Sequence, residues 1–266
     1  MESDVLAKFK NAQREGWSKF APLEVFTTPA AARLVNFADV RSGQSVLDVG
    51  CGTGVAAVTA AQRGARVCGI DLTPALLERA QENSTIAGLE IDWREGDAEA
   101  LPFPDAQFDV VLSQFGHMFA PRPEVAIAEM LRVLKPGGTI AFSTWPPELL
   151  IGSSFGLVGR YMPPPPGIAP SPEWGNIDIV RQRLGDAVEN IRFDRDRMLF
   201  PALSPRHYRA QIEQTAGPMI KLVESLSASD PERLAQFRRE YETLVAPYFE
   251  NNIVRQDYLL TRATKR

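Results

Sequence analysis

The chain of 266 residues has only two cysteines, Cys51 and Cys68, and two histidines, His117 and His207. Neither cysteine belongs to a CxxC pair, and so few dispersed thiols and imidazoles do not make a zinc site. One thiol lies inside a glycine turn and the other in an apolar run, which suits a reducing, cytoplasmic compartment. Basic excess is missing too: 29 Lys and Arg stand against 33 Asp and Glu, a formal net charge of −4. A nucleic-acid backbone attracts a basic surface, so no nucleic-acid partner is expected. No apolar run approaches the ~18 residues of a membrane span. The opening "MESDVLAKFK" has mixed charge and no apolar core, unlike a signal peptide. There is no internal repeat, and nothing in the pattern speaks to oligomeric state. What remains is a globular composition, 44% hydrophobic and 23% charged. The length suits one large domain or one domain with a smaller appendage.

The first half alternates helix and strand patterns. "PAAARLVNFA" from Pro29 to Ala38 reads as a helix with proline at its start. Strands are read at "SVLDVG", "ARVCGIDL", "EIDWREGDA", "FDVVLSQF" and "TIAFSTW". Helices are read between them at Val55 to Arg63, Thr73 to Ala87 and Glu124 to Leu134, the first two closed by Gly64 and Gly88. "KPGG", Lys135 to Gly138, reads as a tight turn into the fifth strand. This alternation predicts βαβ units and a parallel sheet covered on both faces. After Trp145 the chain becomes rich in Pro and Gly, and Pro163 to Pro166 exclude regular helix there. That segment is either a surface connector or a lid or pocket wall. Beyond it, Ile177 to Ala187 reads as helix, "IRFDRDRMLF" as strand, Pro205 to Tyr248 as mostly helix broken near Asp230, and "QDYLLTRAT" as a last strand.

The stretch "SVLDVGCGTG" carries the first functional signal. Gly50, Gly52 and Gly54 follow a strand and open a helix, which permits a sharp turn and close approach of a ligand to the backbone. A second acid, Asp71, ends the next strand near the ~20-residue spacing expected of an acid on ribose hydroxyls. An adenosine-type ligand fits. A dinucleotide fits less well, because the spacing is GxGxG and Asp48 stands beside the turn. Two unit charges ~6 Å apart at an effective dielectric of ~20 repel by roughly 3 kcal/mol. A ligand carrying an ammonium and a sulfonium would instead be attracted. The alternative for Asp48 is a structural turn acid.

"VLDVGCGTG", "VCGIDLT", "GDAEALPFPDAQFDVVLSQ" and "RVLKPGGTIAFSTW" together resemble the successive motifs of class I S-adenosylmethionine-dependent methyltransferases. The likeness is greatest to the subgroup that includes ubiquinone and menaquinone biosynthesis enzymes and many small-molecule methyltransferases. It spans roughly residues 40 to 146. "WSKFA", Trp17 to Ala21, is similar to a short helix that lies over the cofactor in that subgroup. The resemblance implies an α/β fold: a doubly wound, Rossmann-like, seven-stranded and mostly parallel sheet, its last strand antiparallel, with a helical cap. It implies residues 1–38 as a helical segment over the cofactor, 39–146 as the cofactor-binding core, and 147–266 as the rest of the sheet with the cap.

The same resemblance implies S-adenosylmethionine as cofactor and S-adenosylhomocysteine as product. Gly50, Cys51, Gly52 and Gly54 would line the methionine portion, and Asp48 would orient its ammonium through water or neighbouring N–H groups. Asp71 would hold the ribose hydroxyls and Leu72 the adenine face. Asp97 and the Ala98 backbone would meet the adenine edge. Ser113 and Gln114 would face the reactive methyl group. Methyl transfer from a sulfonium is an in-line displacement that demands position and dryness rather than a metal. A base is needed only when the acceptor starts protonated.

His117, three residues beyond Gln114, is the candidate base; the alternative is a packed histidine. Trp145, Phe155, Tyr161, Met162 and Trp174 form either an acceptor pocket or a small core of their own. His207 is a candidate substrate contact, and Arg160 and Arg181 are candidate anion contacts or solvated surface. The favoured acceptor is a small, partly apolar metabolite, methylated on oxygen, carbon or nitrogen. The rivals are a methyltransferase of tRNA or protein, and a cofactor-binding protein without transferase activity. "SQFG" stands where many amine-methylating enzymes of nucleic acid and protein carry Asn/Asp-Pro-Pro-Tyr.

Overall fold

The computed structural model describes residues 2–266, with side chains from residue 4 onward. Two helices open the chain, α1 (Glu2–Trp17) and α2 (Glu24–Phe37). Then β1 (Ser45–Val49), α3 (Val55–Ala61), β2 (Arg66–Asp71), α4 (Pro74–Ile86) and β3 (Asp92–Glu95) follow in alternation. Next come β4 (Phe108–Gln114), α5 (Pro123–Val133) and β5 (Leu134–Thr144). The later half adds α6 (Leu150–Tyr161), α7 (Ile177–Leu184), β6 (Val188–Pro201), α8 (Pro205–Thr215), α9 (Gly217–Ser229), α10 (Pro231–Val245), β7 (Phe249–Glu250) and β8 (Ile253–Lys265).

The sheet order is β3-β2-β1-β4-β5-β8-β6, with two-residue β7 paired to β8. Strands β1 to β5 pair in parallel, and β8 runs antiparallel between β5 and β6. The expected doubly wound sheet with an antiparallel last strand is therefore present. It carries one small strand more, because Asn251 and Asn252 both adopt left-handed φ, 49° and 62°, and turn β7 into β8. Two consecutive residues of that kind suit a tight hairpin.

Three expectations need correction. Helix α2 begins at Glu24, so Pro29 lies inside it rather than at its start. "KPGG" is part of β5: pairing passes from Phe108↔Leu134 to Val110↔Thr139, so Lys135 to Gly138 form a bulge rather than a turn before the strand. The segment after Trp145 also carries a helix, α6 (Leu150–Tyr161), while Pro163 to Pro166 stay outside any helix as expected. Gly152 in α6 is needed for close approach: a Cβ there would stand 2.1 Å from the Pro146 carbonyl oxygen.

Two apolar clusters organise the chain. One sandwiches the sheet, with Leu34 and Val35 of α2, Ala57 and Ala60 of α3, and Met130 of α5 against Val46, Leu112 and Phe142. The other joins α6, α8, α9 and α10 through Leu157, Tyr208, Leu222 and Phe237, and reaches Phe200 and Val254 where β6 and β8 run beyond the sheet. Helix α2 thus packs on the sheet, while α1 crosses to α9 where Gly16 and Gly217 meet. Between the two clusters the carboxyl ends of β1, β2 and β4 open onto a cavity. In the order β2-β1-β4 this is the switch point of a doubly wound sheet, where ligands bind.

Candidate functional site

The site begins with two glycines that face one another. Gly50 has φ +64°, and a Cβ there would come within 2.8 Å of Gly116 Cα. A Cβ on Gly116 would come within 2.3 Å of the Gly50 oxygen. The turn after β1 and the turn after β4 can touch only because both lack side chains. Gly52, φ +55°, has open space where a Cβ would stand, so the backbone there is available to a ligand.

Asp71 closes β2 and accepts hydrogen bonds from the Gly52 and Thr73 amides, each 2.8 Å. Burial raises its pKa, and those amides oppose the rise. A carboxylate has about four acceptor positions, so two backbone bonds leave room for a ribose diol. Asp97 accepts from the Lys10 ammonium at 2.5 Å and from the Glu99 amide at 2.9 Å. Lys10 also reaches Glu99 at 2.6 Å, and Arg14 pairs with Glu95. Helix α1 is thereby pinned over this end of the cavity. Gln114 donates its Nε2 to the Thr27 carbonyl at 2.7 Å. A carbonyl can only accept, which fixes the amide's orientation. Its Oε1 is left buried without a partner.

The cavity has a volume of about 240 Å³. One half is walled by Gly50, Cys51, Gly52, Asp71, Leu72, Asp97, Ala98 and Gln114, as the sequence led one to expect. The other half is walled by Trp145 and Phe155, also expected, and by Phe200, Tyr208, Ile212, Met219 and Gln256, which were not. Lys10, Arg14, Phe115 and Gly116 were missed as well. Phe115 had no sequence signal. It adopts φ +60°, rare for an aromatic residue, and stacks on Trp145 at 4.1 Å with 6° between planes. The cap residues come from separate elements, so no local motif could announce them.

Several expected residues are not on this wall. Asp48 lies in the middle of the sheet, paired with Gly69 and Leu112, and is fully buried. Neither of its oxygens has a hydrogen-bond partner. Burial pushes its pKa up to about 7; the nearby Ala57 amide opposes this, and the Asp71 charge adds to it. It sits beneath the turn rather than at its mouth. Gly54 is glycine for packing, since a Cβ there would strike Trp93 at 2.4 Å. Ser113 donates to the Val49 carbonyl at 2.6 Å and accepts from the His117 amide at 3.0 Å, tying β4 to β1.

His117 is 1% exposed and packs on Phe142 and Trp174, each ring 4.6 Å away. Both ring nitrogens lack partners, and burial, helped by the Arg183 charge, pulls its pKa down to about 3. His117 is therefore not on the cavity wall, and the expectation of a base there is corrected. Trp174 belongs to the same core, under the Arg183 guanidinium. Tyr161 bonds to Glu240 at 2.8 Å, and His207 Nδ1 accepts from the Leu203 amide at 3.1 Å, both away from the cavity. Arg160 pairs with Glu240, and Arg181 lies over Phe193.

Among the described residues no group of His, Cys, Asp or Glu could hold a metal ion, and no helix is long and apolar enough to cross a membrane. Burial holds the Cys51 thiol well above its usual pKa, so it stays protonated. An adenosyl ligand without phosphate fits the wall: open backbone at Gly52, acceptors at Asp71 and Asp97, and an orphaned acceptor at Gln114.

Comparison with known proteins agrees. Residues 47–142 match the methyltransferase domain family. An uncharacterised protein of Mycobacterium tuberculosis is 37% identical over 244 residues, 91% of this chain and 89% of that one. The demethylmenaquinone methyltransferase of Thermus thermophilus is 39% identical over 130 residues, 48% of this chain and 58% of that enzyme. The solved structure of the YcgJ protein from Bacillus subtilis shares the fold, with a TM-score of 0.59 and 20% identity over 89% of this chain and 97% of that one.

Proposed function

Because this chain belongs to the class I S-adenosylmethionine-dependent methyltransferases, we propose that it methylates a small, partly apolar metabolite without a base of its own. The observation that carries this is a cavity continuous from the Gly50–Gly52 and Asp71 wall to the apolar wall around Phe155 and Met219. Asp71 holds the ribose hydroxyls, Leu72 packs on the adenine face, and Asp97 and the Ala98 backbone meet its edge. S-adenosylmethionine, when bound, supplies a methyl group already activated on sulfonium.

The protein's part is position and exclusion of water. Gln114 presents its free Oε1 to a hydroxyl or amine hydrogen of the acceptor and orients a lone pair. Among the described residues on the wall, no side chain is a free base near neutral pH. The lysine and arginine are paired with acids, Asp97 is held by Lys10, and burial keeps Tyr208 and Tyr241 protonated. The methylated acceptor therefore keeps its proton until it leaves the cavity and meets water.

The test is incubation of the protein with S-adenosylmethionine carrying a deuterated methyl group in a fractionated cell extract, read by mass spectrometry. Heavy methyl should appear in a low-molecular-weight fraction. Label confined to RNA or protein supports the macromolecular rival instead. Cofactor binding with no label in any fraction supports a binding protein without transfer.

A further inference from the structure

The charges on the cavity wall are unevenly placed. Among the described residues only Lys10, Arg14, Asp71 and Asp97 bring charge to it. All four belong to α1, to the last residue of β2 or to the loop after β3, at the cofactor end. All four are already engaged: Lys10 with Asp97 and Glu99, Arg14 with Glu95, and Asp71 with two backbone amides. The cap end has none. Its wall is made by Phe155, Phe200, Ile212 and Met219, and its polar groups are neutral ones. The Tyr208 hydroxyl accepts from Gln256 Nε2 at 2.8 Å, and Ser154 donates to the Ile151 carbonyl at 2.7 Å.

Charges on the same helices do not reach the cavity. Arg209 and Glu213 of α8 pair with one another at 2.5 Å, and Arg209 pairs with Glu242 of α10 at 2.8 Å. An ion entering the cap end would lose its hydration and find no partner. A neutral molecule loses little and gains apolar contact.

We infer that the cap end admits only the uncharged part of an acceptor: an apolar, flat or chain-like group bearing a neutral hydroxyl or carbonyl oxygen, without carboxylate, phosphate or ammonium. Ile212 marks the point of selection, since it is buried on the wall between Arg209 and Glu213, which are tied off to one another. The inference rests on the methyltransferase reading for the direction from which the reacting methyl comes. The aromatic rings in the wall make a cation the serious competitor, because such rings attract one.

Three matched probes separate these cases: 2-naphthol, 2-naphthoate and 2-naphthylmethylammonium, each titrated by calorimetry at pH 7 into the full chain with and without S-adenosylhomocysteine. The naphthol should bind at least tenfold more tightly than either ion. In Ile212→Lys the naphthoate should gain at least tenfold relative to the naphthol, and thermal unfolding of that variant checks that it is folded. Equal or tighter binding of either ion to the wild-type chain overturns the inference, and so does failure of all three to bind. Absence of S-adenosylhomocysteine binding in the same cell sinks the methyltransferase reading instead, while the ranking of probes on the free chain still judges this one.

Discussion

The two ends of the cavity are built by different means. The cofactor end is made largely of backbone: Gly50 against Gly116, open space at Gly52, and Asp71 locked by amides from two turns. Its parts lie close together in sequence, and steric exclusion sets their identity. The cap end is made of side chains from α6, α8, α9, α10 and the overhanging ends of β6 and β8. Its parts are far apart, and many apolar combinations would fill the same space. The first kind of site tolerates little change and serves one ligand. The second can be rewritten to suit another acceptor while the fold persists.

A matched pair of glycines breaks or sharpens that contrast most strongly. Gly116→Ala should destabilise the protein by about 3 kcal/mol or more, because the added carbon meets backbone that cannot yield. Gly156→Ala in α6, where nothing lies within 4 Å of the added carbon, should stabilise it by roughly 0.5–1 kcal/mol. Urea denaturation of both variants decides, and similar effects at the two positions would erase the distinction.

Beneath the cofactor end lie two buried groups, Asp48 in β1 and His117 packed against the sheet, that titrate in opposite senses. Asp48 has its pKa raised from 3.8 to about 7 by burial, so the folded state holds a proton that the unfolded state has released. Stability from this group is greatest at low pH and is lost as pH rises from about 4 to 7. His117 has its pKa lowered from 6.5 to about 3, so the unfolded state binds the proton first. Stability from this group is lost as pH falls through the same region. The two slopes largely cancel between about pH 4 and 6.5. In Asp48→Asn, stability should rise with pH across that window by on the order of 1 kcal/mol per pH unit. In His117→Phe it should fall by a similar slope. Identical profiles for wild type and both variants would show that neither group is buried as described.

The contrast also explains what was legible beforehand. The place of Asp71, Gly50 and Gly52 on the cavity wall could be read because it follows from spacing within one βαβ unit. The fold's parallel half was readable for the same reason. Asp48 misled: its neighbours in sequence form the ligand wall, but its place in β1 between β2 and β4 puts it beneath that wall. His117 misled likewise, since one turn beyond Gln114 the chain dives under Phe142 and Trp174. The pair Asn251-Asn252, both at positive φ, carries a hairpin signal within two residues. Tyr208, Ile212 and Met219 carried none, because an apolar helical face looks the same whether it covers a core or a cavity.

The division of the cavity is tested most directly by titrating S-adenosylhomocysteine into three proteins: wild type, Asp71→Ala and Ile212→Lys. Loss of charge-assisted hydrogen bonds at Asp71 should weaken binding by about 1–3 kcal/mol, roughly ten- to a hundredfold. Ile212→Lys, at the other end, should stay within about twofold of wild type. Unchanged affinity in Asp71→Ala, or an equal loss in both variants, would contradict the assignment of the two ends.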